Sequence, residues 1–173
     1  ITEEVDNLTA YLDKLREMIK TEEQIPLSIT IFSLKEILEQ QINTYQRDTT
    51  KEVHISLHYK HYSNMMQGDK MQLSNVFSNL LENSVKYSRE IVHITVTCND
   101  TEQGISISIS DDGIGIPSYE CDHVFQKFYR GHSYSNSMLP GMGLGLSYVK
   151  LVVQAHQGTV SLKSTNGKGT TVT

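Results

Sequence analysis

Cysteine is scarce: the 173-residue chain carries only Cys98 and Cys121. Two thiols make neither a disulfide framework nor a four-ligand zinc site, and they fit a reducing compartment. No cluster of lysine and arginine stands out and the net charge is −5, which argues against nucleic acid as a main partner. Signal peptide and membrane-length apolar run are both missing, so no membrane contact by this stretch is expected. Internal repeats and low-complexity tracts are missing too. What remains is an ordinary globular composition, long enough for one domain with a real core, or one domain plus an appendage. The chain opens at Ile1 without Met and closes at Thr173 in a strand-like run, so a fragment of a longer protein is expected.

The stretch 69–88, DKMQLSNVFSNLLENSVKYS, organises the rest. At about 100° per residue, Leu73, Val76, Phe77, Leu80, Leu81 and Ser84 share one arc of a helix. Asn75, Asn79, Asn83 and Lys86 share the other, within roughly 80° of one another, and Tyr87 borders them. Asn costs a helix interior about 0.6 kcal/mol relative to Ala, so three on one stripe are not there for helix stability. A solvated face would carry Glu, Lys and Gln. The alternative is a row of amide oxygens facing a cavity, with a cation beside it.

Elsewhere the pattern alternates between helices and strands. Ile1, Val5, Leu8, Leu12, Leu15 and Ile19 form a heptad seam among charged residues, which predicts a helix that pairs with another helix or docks on its own domain. Gln24-Ile25-Pro26 breaks it. This divides the chain into a helix plus linker at 1–24 and a domain at 25–173. A strand is expected at 27–32. Ser33-Leu34-Lys35-Glu36 is a capping box that opens a helix to about Asp48. Further strands are expected at 53–59, 91–98 and 105–109, the last two joined by a hairpin turn at 99–104. A helix at 145–156 is stopped by Gly158, and a hairpin around Asn166-Gly167-Lys168-Gly169 closes the chain. The order indicates an α+β two-layer sandwich.

Two glycine segments stand out. Asp111-Asp112-Gly113-Ile114-Gly115-Ile116-Pro117 follows a strand; a carboxylate there can accept from an exocyclic amino group such as that of adenine. Gly113 and Gly115 let the backbone approach a flat ring. An ordinary Asp-Gly turn would read the same way. Gly141-Met142-Gly143-Leu144-Gly145-Leu146-Ser147 runs into an apolar helix, whose first N–H groups make a phosphate site. It is neither a Walker loop, because no Lys-Ser/Thr follows, nor a Rossmann fingerprint, because no strand precedes it. Between them, 131–142 has the composition of a mobile lid. Phe125 and Phe128 are expected to pack as a hinge. Arg130, at the lid base, suits a terminal phosphate whose charge shifts during transfer.

Taken in order, Asn79-x-x-x-Asn83-x-x-Lys86-Tyr87, Asp111-x-Gly113-x-Gly115, Phe125-x-x-Phe128-x-Arg130 and Gly141-x-Gly143-x-Gly145-Leu146 resemble the N, first glycine, F and second glycine boxes of sensor histidine kinases. Gly169-Thr170-Thr171 is similar to the family's closing strand, and the heptad helix resembles the second helix of its dimerisation domain. The resemblance covers about 27–173. It implies the Bergerat ATP-binding fold, a mixed sheet with helices on one face. It also implies ATP and Mg2+ as ligands. Asn83 would be the metal ligand, and Asn79 would face phosphates or a metal-bound water. Lys86 would contact phosphate and Tyr87 the ribose or adenine. Asp111 would take the adenine amino group beside Gly113, Gly115 and Ile116. Gly141, Gly143, Leu144, Gly145 and Leu146 would shape the phosphate loop, with Thr170 nearby. Asn79 and Arg130 would be catalytic.

The same resemblance has gaps. None of His54, His58, His61, His93, His123, His132 or His156 has the family's phosphoacceptor context, a helical His followed by a carboxylate. The acceptor helix is expected upstream of this chain, so self-phosphorylation by the fragment is not. The expected partners are that helix, a response regulator and a second copy through 1–21. The expected setting is the cytoplasmic part of a membrane-bound sensor. A nucleotide-holding regulator of the same fold is the alternative. Gyrase-type hydrolysis is disfavoured, because Asn79 stands where those families place a Glu base. Glu82 is expected to point about 100° away from Asn83.

Overall fold

A computed structural model describes residues 25–47, 51–131 and 143–173. The heptad seam, His132 and Gly141 lie outside the described residues. Three helices and seven strands follow in order: β1 (Ile29–Ser33), α1 (Leu34–Arg47), β2 (Glu52–Tyr59), β3 (Met65–Asp69), α2 (Lys70–Lys86), β4 (Ile91–Thr101), β5 (Gly104–Asp111), α3 (Gly145–Ala155), β6 (Leu162–Thr165) and β7 (Gly169–Val172). A 3-10 turn, Ser118–Glu120, precedes α3.

The main sheet has the order β2-β4-β5-β7-β6. β2 runs parallel to β4 and the other pairings are antiparallel, so the sheet is mixed. Its inner face is the even register of β4: Val92, Ile94, Val96 and Cys98 are buried, while Ile91 is exposed. Against that face lie Leu34, Ile37 and Leu38 of α1, Leu73, Val76, Phe77 and Leu81 of α2, and Tyr148, Val149 and Val152 of α3. Each such aliphatic contributes about 1.5–3 kcal/mol when fully buried. This is the two-layer sandwich that the alternating patterns implied.

Local signals account for the helix starts. Ser33 Oγ accepts from the Glu36 N–H at 3.2 Å, the N-terminal half of the capping box. Asp69 caps α2 by accepting from Gln72 N at 3.0 Å, and its other oxygen takes Ser28 N at 2.7 Å.

Several expectations need correction. β3 was not foreseen; Met65–Asp69 pairs with β1 in a separate two-stranded sheet. Its Met-Met-Gln-Gly-Asp sequence has no β-branched residue and no alternation. The stop of α3 is a Schellman motif in which Gln157, not a glycine, takes the left-handed conformation (φ 61). Gln157 N donates to Gln154 O and Gly158 N to Val153 O, both at 2.9 Å, so Gly158 occupies the following position. Phe128 does not pack as a hinge: it is 63% exposed with φ 64.

Candidate functional site

Three backbone segments converge on one cavity. α2 brings Asn79, Asn83 and Lys86, with Tyr87 at its C-cap. The end of β5 and its following turn bring Asp111, Gly115 and Ile116. The entry to α3 brings Gly143, Leu144, Gly145 and Leu146, and Arg130 and Thr170 complete the same lining. Gly113 is not on the wall; it lies behind Asp111, where an added Cβ would come 2.6 Å from Tyr87 O.

Asp111 is the most constrained group. Its Oδ1 accepts from Gly113 N at 3.0 Å and Thr170 N at 3.1 Å. Its Oδ2 accepts from Ser84 Oγ at 3.1 Å. A carboxylate has about four lone-pair directions, so these three donors leave Oδ2 with capacity for one more. Burial pushes the Asp111 carboxyl above the usual carboxylate range; the three hydrogen bonds oppose that, and the neighbouring Asp112 charge reinforces it. The group is thus a half-shielded acceptor at a cavity wall, suited to a neutral N–H donor.

The polar stripe of α2 divides. Asn79 is 6% exposed, which rules out a solvated face there. Its Nδ2 donates to Asn75 O at 2.8 Å, turning Oδ1 toward the α3 entry. A Cβ on Gly145 would stand 3.4 Å from Asn79 Oδ1 and 3.6 Å from Asn83 Nδ2. Asn75 does not line the cavity; its Nδ2 reaches the Tyr148 hydroxyl at 3.4 Å. Glu82, about 100° round the helix from Asn83, also borders the cavity.

α3 begins with no side-chain cap at Leu144. Its first N–H groups therefore open toward the Gly143–Gly145 turn, a setting that favours anions. Gly143 needs its hydrogen: φ is 71 and a Cβ would fall 2.6 Å from Tyr129 O. The cationic side of the cavity comes from Lys86 and Arg130. Lys86 Nζ sits 5.1 Å from the Tyr87 ring centroid. Burial lowers the Lys86 pKa; Glu82 opposes this and Arg130 adds to it. Burial raises the Tyr87 phenol, with Arg130 opposing and Glu82 reinforcing.

Two contributors escaped the sequence reading. Ser84 was assigned to the apolar arc of α2, yet a hydroxyl on a buried stripe is itself a signal that something polar waits opposite. Glu120, 2% exposed, lines the cavity from the 3-10 turn, where no periodicity marks it.

An adenine-sized flat ring, an anionic chain and a hard cation have donor and acceptor sets of the right kind here. Asp111 can accept from an amino group, the first N–H groups of α3 can donate to an anion, and the Asn79 and Asn83 amides have the kind of oxygen that magnesium takes alongside water and phosphate.

Residues 68–173 match the family described as Histidine kinase-, DNA gyrase B-, and HSP90-like ATPase. The chain is 41% identical over 107 residues to sensor histidine kinase WalK of Bacillus subtilis, covering 61% of this chain and 18% of that protein. It is 31% identical over 175 residues to sensor protein RprX of Bacteroides fragilis, covering 98% of this chain and 34% of that one. The chain thus spans about a third or less of these curated relatives. Among solved structures, the mycobacterial sensor histidine kinase MprB superposes with a TM-score of 0.70 at 25% identity, over 83% of this chain and 93% of that one. Full-length ShkA in complex with AMPPNP superposes at 0.81, with 21% identity over 98% of this chain and 35% of that one, which shows the fold alone. On the match over residues 68–173, the chain belongs to the Histidine kinase-, DNA gyrase B-, and HSP90-like ATPase family.

Proposed function

We propose that this domain binds Mg-ATP in the α2–β5–α3 cavity and donates the γ-phosphate to a histidine on a dimerisation helix not present in this chain. The observation that carries this is the convergence on one cavity of a carboxylate held by three donors with room for a fourth, two helix-borne amides and a helix start without a side-chain cap at Leu144. Asp111 accepts the adenine amino group. Tyr87 and Ile116 flank the base or ribose, and the Gly143–Gly145 turn with Leu144 and Leu146 carries the phosphates. Asn83 holds Mg2+ and Asn79 faces the phosphates or a metal-bound water, with Lys86 beside them. The ion, when bound, neutralises phosphate charge. Arg130 meets the charge that develops as the acceptor nitrogen bonds to phosphorus and the bond to the ADP oxygen breaks.

The partners follow from that chemistry: an acceptor helix of the same kinase and, after it, the aspartate of a response regulator. The relatives' names and the absence, among the described residues, of any helix long and apolar enough to cross a membrane fit a domain on the cytoplasmic side of a membrane-bound sensor.

Calorimetric titration with ADP and AMPPNP, with and without magnesium, tests the binding half. A transfer assay with a supplied acceptor domain tests the other. Binding without transfer would favour a nucleotide-dependent regulator of the same fold, and no binding at millimolar nucleotide would reject the reading.

A further inference from the structure

Asp112 stands between Asp111 and the first glycine of the turn, yet neither it nor His93 lines the cavity. Its carboxylate is gripped by His93. The His93 N–H donates to Oδ1 at 3.0 Å and the imidazole Nδ1 meets Oδ2 at 2.8 Å. The Asp112 N–H returns a bond to His93 O at 3.2 Å. Three contacts therefore fix both the side chain and the peptide of this one residue. The Asp111 Oδ1 to Gly113 N–H bond, 3.0 Å, closes over that same peptide. Rotation at residue 112 carries the Gly113 N–H away from Asp111 Oδ1, leaving the carboxylate to the Thr170 N–H and the Ser84 hydroxyl alone and its direction less firmly set.

The grip has a buttress on the open face of the sheet. His54 of β2 lies in register with His93 of β4. Their rings stack at 5.2 Å between centroids and 18° between planes. His54 Nε2 is held in turn by Glu52 Oε1 at 2.9 Å. The row Glu52, His54, His93, Asp112 thus crosses from β2 over β4 and ends just past β5, on the residue beside Asp111.

We propose that His93 and Asp112 are positioning residues for Asp111, and that they set the preference for a purine with an amino group at C6 (adenine) over one with a carbonyl at C6 (guanine). The inference rests on the nucleotide reading above. A carboxylate oxygen discriminates between donor and acceptor only if its direction is fixed, because a misaligned hydrogen bond weakens steeply with angle. The clasp supplies that direction from outside the cavity, without touching ligand.

The test is calorimetry with ADP, and GDP by competition, on the whole chain and on Asp112→Ala, His93→Ala, His93→Gln and His54→Ala variants, with thermal melting of each. Loss of the clasp is expected to cost about three- to tenfold in ADP affinity, the scale of one weakened hydrogen bond, with GDP affinity unchanged. The Gln variant retains a donor toward Asp112 and recovers most of the loss. The His54 variant shows a smaller loss in the same direction. ADP and GDP affinities falling together, or an unchanged ADP to GDP ratio in folded variants, would overturn the proposal. Failure of the unsubstituted chain to bind either nucleotide would instead overturn the nucleotide reading beneath it.

Discussion

The Nε2 atom of His156 accepts a hydrogen bond from the Asp69 N–H at 2.9 Å, while its Nδ1 donates to Val152 O at 2.8 Å. Both ring nitrogens are committed, so the imidazole is the Nδ1–H tautomer. The bond joins the C-cap of α3 to the N-cap of α2. Further along the same interface the Tyr148 hydroxyl donates to Gln72 Oε1. At the far end Gly145 faces Asn79, where an added Cβ would stand in ordinary contact, 3.4 Å from Asn79 Oδ1. The two helices that make the cavity are thus fastened at the end remote from it.

His156→Ala leaves the Asp69 N–H without its partner and opens the space beside Gly68, whose α-carbon side faces the imidazole. The expected destabilisation is about 1–3 kcal/mol, the cost of an unpaired partly buried donor plus lost packing. Urea unfolding measures it. Because the bond spaces α2 from α3, ADP affinity should fall as well, although residue 156 does not touch the cavity.

Asp111→Asn separates stability from function. Asn can keep the Gly113 and Thr170 donors on Oδ1 and turn Nδ2 toward Ser84 Oγ. It removes a charge that burial disfavours. The folded carboxyl lies above its unfolded value, so its protonated form favours the fold. That contribution is complete below the unfolded value of about 3.9 and is lost as pH rises through the folded value. At pH 7 the variant is therefore expected to melt at the same temperature as the parent or higher. Its advantage shrinks on acidification, while ADP binding weakens sharply. Melting curves from pH 4 to 8 beside calorimetry read both effects; a lower melting temperature at pH 7 would contradict the account.

How far the sequence alone reaches is clear from α2. Its apolar arc and the inward turn of Asn79 follow from spacing, because helix geometry converts position directly into direction. The hairpins and the carboxylate at the end of β5 were legible for the same reason, through period-two alternation. β3 was not, because its strand character comes only from pairing with β1. Nor was the Ser84 to Asp111 bond, which spans two elements, or the His93 to Asp112 clasp, which depends on strand order in the sheet. Spacing shows which way a residue points; it does not show what the other end of the chain places there.

In the turn after Asp111, Gly115 is the position least able to accept a side chain. Its φ is 67, and an added Cβ would fall 2.1 Å from Thr165 O in the closing hairpin. Gly115→Ala must therefore move either the turn after Asp111 or the β6–β7 hairpin. A cost of at least about 2 kcal/mol is expected from strain and clash together. Denaturant titration reads it, and a change below about 0.5 kcal/mol, the scatter of surface substitutions, would show that the turn gives way easily.

Asn83 and Arg130 divide binding from transfer. Asn83 projects from α2 beside Asn79, and its amide is the group assigned to magnesium. Asn83→Ala should erase the gain in nucleotide affinity that magnesium gives, leaving magnesium-free ADP binding near the parent value, since Asp111 and Thr170 are untouched. Arg130 lies across the cavity, and its charge reaches both Lys86 and Tyr87. A group that acts on charge developing during transfer adds little to ground-state binding. Arg130→Ala should therefore leave AMPPNP affinity within about twofold and slow phosphate transfer to a supplied acceptor domain by about 10²-fold or more, the scale of one lost transition-state donor. Equal losses in binding and transfer would make Arg130 a binding residue. Unchanged transfer would move the stabilising charge elsewhere, with Lys86 the next side chain to replace.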